Sequence, residues 1–478
     1  MKNTILYIIL IIAFTCNLKA QKQININFAG NINFGHWQTP QNITVTDTTN
    51  IFGAIQNTIN KKVPIFSTLG TIFINQQKDQ TVIPVNKNAI SIHSDYARIL
   101  ALNGFTAISA ANKKIGEYGF EGLASTTDAL RNNGIMFAGI RSFCESTIIQ
   151  NNGTKIGFAA FGNNTYTISI NDSVKIAQTT NHLDTLCDIV VIAFSINKKD
   201  IIYTKNNDKK HPYMRLAEKF AQICIDSGAD IVYGDGEDTP QSLDLYKDRL
   251  IMYGLGNFCT PTCNKYNEET SCAPIISVNT YSDGTFCNAK IHSFKQINNR
   301  GPQIDKEQNA VRIIRKRTQT SNPETRIIIN DDGTILSKTK SNTVLIFEVL
   351  NEGQTHLGKK YKRGAVGPNI FDCSGFTSFI FRKIGIELNR TSASQYQQGM
   401  KVNKEDLKPG DLVFFRGSVS RHIGHVGVVT SVDKTNRSFK FIHASNRGVV
   451  IDDFAKSSYY IRRYVGATRV IGHIGINE

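Results

Sequence analysis

The chain reads as two consecutive domains of mixed α and β structure, a larger α/β domain over residues 23–300 and a smaller α+β domain over residues 342–478. Three observations carry that reading. At 478 residues the chain is long enough for two separate cores. From residue 23 onward, short apolar runs alternate with amphipathic stretches, the pattern of strands and helices in which some strands are buried on both faces. Beyond residue 342 one helix-spaced apolar run is followed downstream by the pattern of a two-stranded hairpin.

In the first domain, Ile24 to Phe28, Phe105 to Ala110, Lys155 to Phe161, Ile189 to Phe194, Ala229 to Val232 and Leu250 to Tyr253 are expected as strands. Ser91 to Asn103, Gly119 to Asn133 and Tyr213 to Ser227 are expected as helices. Residues 301–341 are expected as a basic linker or extension, because Arg312-Ile-Ile-Arg-Lys-Arg317 is followed by a stretch rich in Ser, Asn and Pro.

The second domain is organised around Phe371-Asp372-Cys373-Ser374-Gly375-Phe376. Phe376, Phe379, Ile380 and Ile384 recur at helical spacing, so Cys373 should open a helix with Asp372 near its cap. The positive end of a helix favours the thiolate, the attacking form of cysteine, so a reactive thiolate is expected. Downstream, His425 to Val432 and Ser438 to His443 read as a hairpin around Asp433 to Arg437. Positions 425 and 443 are equidistant from Lys434, so the two imidazoles are expected to face each other across the strands. One could take the thiol proton while the other holds it in the right tautomer. His422 is a rival base by position and is read as an exposed loop residue.

These residues carry a resemblance. Gly358-Lys-Lys-Tyr361, Asp372-Cys-Ser-Gly375, Arg390-Thr-Ser392, Leu407 to Phe415, Gly424-His-Val-Gly427 and Phe441-Ile-His-Ala-Ser445 resemble, in order, the motifs of the NlpC-type cell-wall cysteine peptidases. The resemblance implies a papain-like fold with Cys373 as nucleophile, His425 as base and His443 as orienting residue. It places the Tyr361 hydroxyl near the oxyanion, and Asp372 and Ser374 near the free amine of a substrate peptide. The sequence departs from the family at Asn389, where proline is common, and at Ala365, where glycine is common.

Residues 23 to 300 resemble the capsule-synthesis (CapA) family, which implies an α/β sandwich of the calcineurin-type metallophosphatase fold. The resemblance rests on Gly30 to Gly35, Gly104 to Gly134, Gly228 to Gly234 and Ile251 to Phe258. The family's metal ligands are mostly replaced. Asn31 follows Gly30 where Asp is usual, Thr68-Leu69-Gly70 stands for Asn-Leu-Glu, Asn112-Lys113 for Asn-His, Ser195 for a histidine, and Gly234-Asp-Gly-Glu-Asp238 for a histidine-rich run. Two-metal hydrolysis needs carboxylates and imidazoles around both ions, so this domain is read as catalytically silent, with no metal and no cofactor.

Met1 to Ala20 combine Lys2, an apolar run from Ile5 to Phe14 and a small-residue exit, the pattern of a secretory signal peptide. The expected location is therefore the periplasm, cell envelope or exterior, with no transmembrane segment in the mature chain. A formal charge of +16 suits a polyanionic partner; without a nucleic-acid motif, the expected partners are peptidoglycan stem peptides or another anionic envelope polymer. Of nine cysteines, Cys259, Cys263, Cys272 and Cys287 cluster where a disulfide is expected in an oxidising compartment, with zinc as the competing reading. The function expected is an exported cysteine endopeptidase cutting stem peptides at the γ-D-Glu to diamino acid bond. The alternatives are a capsule-polymer binding or assembly protein and an amidase or transpeptidase on a γ-glutamyl polymer.

Overall fold

The computed structural model describes residues 23–34, 48–75, 82–85, 89, 91–196, 200, 211–261, 265–297, 300–338, 342–417, 422–433 and 435–472. Met1 to Ala20, read above as a signal-peptide pattern, lie outside the described residues. The chain divides into two units, one from Lys22 to Thr339 and one from Lys340 onward.

The first unit is built from two mixed sheets. The nine-stranded sheet runs in the order 327–329, 334–337, 286–292, 275–280, 24–32, 65–69, 105–109, 136–138, with 257–259 pairing beside 24–32. The six-stranded sheet runs 243–246, 249–252, 231–235, 189–195, 154–162, 146–151. Their facing sides share one core, in which Phe28, Phe66, Phe158 and Tyr233 stack and tilt against one another. Helices Tyr96–Leu102 and Gly119–Asn132 bury their apolar sides on the outer face of the first sheet. Helices Ser173–Leu186 and Pro212–Asp226 do the same on the second. The result is two sheets sandwiched between helices. It follows from the near-continuous apolar strands such as Ile189–Ser195, in which every residue is buried and both faces need cover.

Two expectations are corrected here. Ser91 to Asn103 is not one helix: Ser91–His93 pairs in parallel with Ile72–Ile74, and the helix begins at Tyr96. Residues 301–338 are not a linker. Gly301–Ile304 pairs with Phe294–Ile297, Asn309–Ser321 is a helix, and Ile327–Ile329 with Thr334–Ser337 extends the large sheet. The basic run lies on that helix, where Val311 and Ile314 face the core while Arg312, Arg315 and Arg317 pair with Glu268, Asp331 and Glu269. Those three arginines are thus paired within the first unit, at a partly exposed surface.

The second unit centres on a six-stranded antiparallel sheet. Its strands are β1 (Met400–Val402), β2 (Leu412–Arg416), β3 (Ile423–Asp433), β4 (Ser438–Ser445), β5 (Gly448–Asp453) and β6 (Tyr464–Arg469), in the order β1-β6-β2-β3-β4-β5. One face packs against α1 (Asn342–Thr355) and α2 (Cys373–Arg382) through Val349, Phe376, Ile380, Phe414, Val428 and Ile442. The other face carries a smaller aromatic core of Phe415, Phe439, Phe441, Phe454 and Tyr460. Among the described residues no helix is long and apolar enough to cross a membrane.

Candidate active site

Cys373 is the first residue of α2, as its sequence context requires. The Asp372 carboxylate caps the helix by accepting from the Gly375 amide at 2.6 Å. It also accepts from the Gly364 amide at 2.9 Å and pairs with Arg390 at 2.7 Å. Gly375 has no room for a side chain, because a Cβ there would lie 2.2 Å from the Ala365 carbonyl oxygen. Ser374 is buried and accepts from Arg390 at 3.1 Å. Asp372 and Ser374 are thus already joined through one guanidinium. Just before Arg390, the Asn389 amide donates to Gln398 at 2.6 Å, a bond that the proline common in the family could not make.

The thiol meets β3 beside its histidine. Cys373 Sγ lies 3.9 Å from the Gly424 carbonyl oxygen, and the neighbouring residue on the strand is His425. His425 Nε2 lies 2.8 Å from His443 Nδ1, with the two rings perpendicular. The hairpin brings them together differently from the expected facing pair. Asp433 pairs with Ser438, the register slips between Val429 and Ser431, and Val428 stands opposite Ile442. Continuing that ladder puts Gly427 opposite His443, so His425 approaches from the diagonal position. Tyr460 stacks on His425 at 5.9 Å and meets His443 edge-on. Phe441 stacks on His443 at 4.7 Å.

Sequence reasoning missed Asp452. His443 Nε2 lies 3.0 Å from Asp452 Oδ2, which also accepts from Arg447. The carboxylate reaches His443 because β5 pairs with β4, placing Asp452 opposite Phe441 and one step diagonal to the imidazole. The only signal in the sequence is the third strand pattern after Ser445, ending in two aspartates.

Opposing effects act on the expected thiolate: the helix start favours it and burial works against it. Burial pushes the Cys373 thiol up, the Asp372 charge adds to this, and the amides of Val426 and Ser374 only partly oppose it. Burial and the neighbouring His443 push His425 down to about 3. Burial also lowers His443, against the pull of Asp452. For Asp452, burial is outweighed by His443 and Arg447, which hold the carboxyl at about 2. Burial thus favours the neutral thiol and the neutral imidazoles, with the Asp452 carboxylate hydrogen-bonded behind them.

Tyr361 and His425 line an open groove of about 1290 Å³, together with Arg416, Arg447, Asp452 and Tyr460. Cys373, Asp372 and Ser374 do not line it; Cys373 is 7% exposed. His422 is exposed, and its carbonyl closes the neighbouring turn by accepting from the Gly417 amide.

Residues 358–469 match the NlpC/P60 family. The chain is 43% identical over 112 residues to the "Probable endopeptidase p60" of Listeria welshimeri, covering 23% of this chain and 21% of that one. It is 35% identical over 125 residues to the "Gamma-DL-glutamyl hydrolase" of Bacillus subtilis, covering 26% and 29%. It is 36% identical over 117 residues to the "Murein DD-endopeptidase MepS/Murein LD-carboxypeptidase" of Escherichia coli, covering 24% and 57%. The chain thus spans about a fifth of the length of the p60 relative and little more than half that of the murein enzyme. Residues 25–262 match the bacterial capsule synthesis protein PGA_cap.

In that first segment, the positions singled out as replaced ligands do converge. Asn31, Gly70, Asn112, Lys113, Ser195, Asp235, Glu237 and Asp238 line one cavity of about 20 Å³, with Lys114 and Asn257 as added members. Asn31 donates to Asn257, which donates to Asp238 at 3.0 Å. Burial raises Asp235 to about 6, with the Gly236 amide and Lys113 pulling the other way. The side chains there are three amides, three carboxylates and one hydroxyl, with Lys113 and Lys114 standing among them. Two lysine charges oppose a cation there, no imidazole lines the cavity, and among the described residues no three acidic, imidazole or thiol side chains are grouped so as to hold a metal, so the set does not fit a two-metal centre. Cys259, Cys272 and Cys287 are free, with Cys259 and Cys272 buried, so none forms the expected disulfide; Cys263 lies outside the described residues.

Proposed function

We propose that the chain is an exported cysteine endopeptidase that hydrolyses peptidoglycan stem peptides at the γ-D-Glu to diamino acid bond. The single observation that carries this reading is Cys373 at the capped start of α2, against the strand that presents His425 hydrogen-bonded to His443. Similarity to p60 and murein endopeptidases supports the substrate class. In the reaction, the Cys373 S–H bond breaks as its proton moves to His425 and sulfur bonds to the scissile carbonyl carbon. The Tyr361 hydroxyl stands by the developing oxyanion. Collapse of the tetrahedral species breaks the C–N bond, the amine leaves with the proton from His425, and water then hydrolyses the thioester to restore the thiol. Asp372 and Ser374 hold the substrate's free amine from the helix start.

The first unit, taken as residues 23–300 with a folded extension to residue 338, is a metallophosphatase-like sandwich without its metals. Its part is to hold the wall or capsule polymer. A second reading, hydrolysis of a γ-glutamyl polymer, draws support from the similarity to the Bacillus γ-glutamyl enzyme and to PGA_cap. Digestion of muropeptides and of poly-γ-glutamate by the full chain and by Cys373→Ala, with mass analysis of products, tests both. New amine ends at the γ-D-Glu bond, absent with the variant, are the expected result. Release of glutamate oligomers alone would favour the second reading, and activity surviving in Cys373→Ala would refute both.

A further inference from the structure

We propose that Asp452 is a positioning residue that fixes the tautomers of both histidines, leaving the free lone pair of the assembly on His425 Nδ1. The inference rests on the reading of Cys373 and His425 as nucleophile and base, and deepens it. It begins from a count of protons. The Asp452 carboxylate has nothing to donate, so His443 must present Nε2–H to it across 3.0 Å. A neutral His443 then has no hydrogen on Nδ1. That nitrogen can only accept, and the partner 2.8 Å away is His425 Nε2, which must therefore be the protonated nitrogen of its ring. A neutral imidazole carries one N–H, so the lone pair of His425 lies on Nδ1, the remaining ring nitrogen. One carboxylate thus determines, through two rings, which atom is the base.

The same chain acts after proton transfer. When the Cys373 S–H bond breaks and the proton arrives at His425 Nδ1, the new imidazolium still donates through Nε2 to His443, whose own N–H stays on Asp452. No hydrogen bond is broken and no ring turns. Asp452 is itself held, because Arg447 donates to the same Oδ2 that faces His443. Every other group packed on the pair leaves this logic intact. Phe441 and Phe415 are apolar, Gly427 has no side chain, and Tyr460 presents its ring to both histidines while burial keeps its phenol protonated. Across the site, Asp372 and Arg390 compensate each other beside Cys373.

Two substitutions separate the parts of this claim. In Asp452→Asn the amide oxygen can occupy the shared position and accept from both His443 and Arg447, so the tautomers persist while the negative charge is lost. Asp452→Ala removes both. The readout is the pH profile of Cys373 alkylation by iodoacetamide in the full chain, with Cys373→Ala to subtract other thiols, alongside kcat and KM on a soluble muropeptide. For Asp452→Asn the plateau rate and kcat should fall on the order of tenfold with KM unchanged, and the acid limb should move to lower pH, because the imidazoles lose the charge that raised their basicity. For Asp452→Ala the fall should be on the order of a hundredfold. Unchanged rates in both variants would overturn the proposal, and so would a lower plateau with an unmoved acid limb in Asp452→Asn, which marks a merely structural role. Alkylation needs no substrate. A shifted limb with no muropeptide cleavage would uphold the proton chain and reject the peptidase reading, while cleavage with an unmoved limb would do the reverse.

Discussion

Gly427 lies opposite His443 on the β3–β4 ladder, and a Cβ on Gly427 would stand 3.0 Å from the His443 Cβ and 2.7 Å from a Phe441 ring carbon. The empty space there is what allows His425 to reach His443 diagonally. Gly427→Ala must displace one of the two rings. It should cost about 1–3 kcal/mol in chemical denaturation, the usual range for overpacking. Muropeptide turnover should fall by a larger factor than that stability loss explains.

The histidines should rank by role. His425→Ala removes the group that takes the thiol proton, and hydrolysis should drop by roughly 10²–10⁴. His443→Gln keeps an acceptor for His425 and should retain a measurable fraction of activity. His422→Ala should be near wild type, since that side chain is exposed in the preceding loop. Steady-state rates on one soluble muropeptide decide the order, and a deep loss at His422 would move the base to that residue.

Because burial and Asp372 raise the Cys373 thiol, its ionisation in the substrate-free protein should come later than that of an ordinary cysteine at about 8.5. The ultraviolet thiolate absorbance of wild type minus Cys373→Ala isolates this one group from the other cysteines. The difference curve should rise on the alkaline side of that value. A thiolate already formed at pH 6 would mean that the resting site is an ion pair.

Acid should destabilise this unit through its histidines. Both are held below the ordinary value of about 6.5, so the unfolded chain binds more protons as pH drops. The stabilising contribution is full above about pH 6.5 and is lost as pH falls through the window below it, at up to roughly 1.4 kcal/mol per pH unit for each group. Denaturation midpoints at pH 7.5 and 5 measure the effect. His425→Gln should reduce the difference by about half.

In the first unit, the cavity lined by Lys113 and Lys114 should leave the full chain without stoichiometric manganese, zinc or iron and without metal-dependent phosphatase activity. Elemental analysis of Cys373→Ala purified without chelator provides the check. One bound metal per chain would restore the metallophosphatase reading.

What could be read in advance was local, and what could not depended on pairing. The helix at Cys373 is legible because its cap, Asp372, and its apolar spacing lie within one short stretch. The strand runs of the first unit were legible because burial on both faces makes them continuous. The exact meeting of His425 with His443 was not, since a one-residue slip at Thr430 lies beyond any count from the turn. Asp452 stayed hidden because its role exists only once a third strand is laid beside the hairpin. Ser91–His93 was absorbed into a helix pattern for the same reason, its partner at Ile72–Ile74 being a separate segment. The run from Arg312 to Arg317 was judged by its charge, while Ala310, Val311, Ile314 and Thr318 beneath it already carried helical spacing.

The hairpin Ile327–Ile329 and Thr334–Ser337 closes the edge of the large sheet by pairing with Phe286–His292. Cutting the gene at residue 300, where composition suggests a boundary, would expose that strand's unpaired amides and carbonyls and strip Val311, Ile314 and Ile335 from the shared core. Such a fragment would present a sticky edge to its own copies and should form aggregates or inclusion bodies. A fragment ending at Thr339 keeps the edge covered and is the one to express.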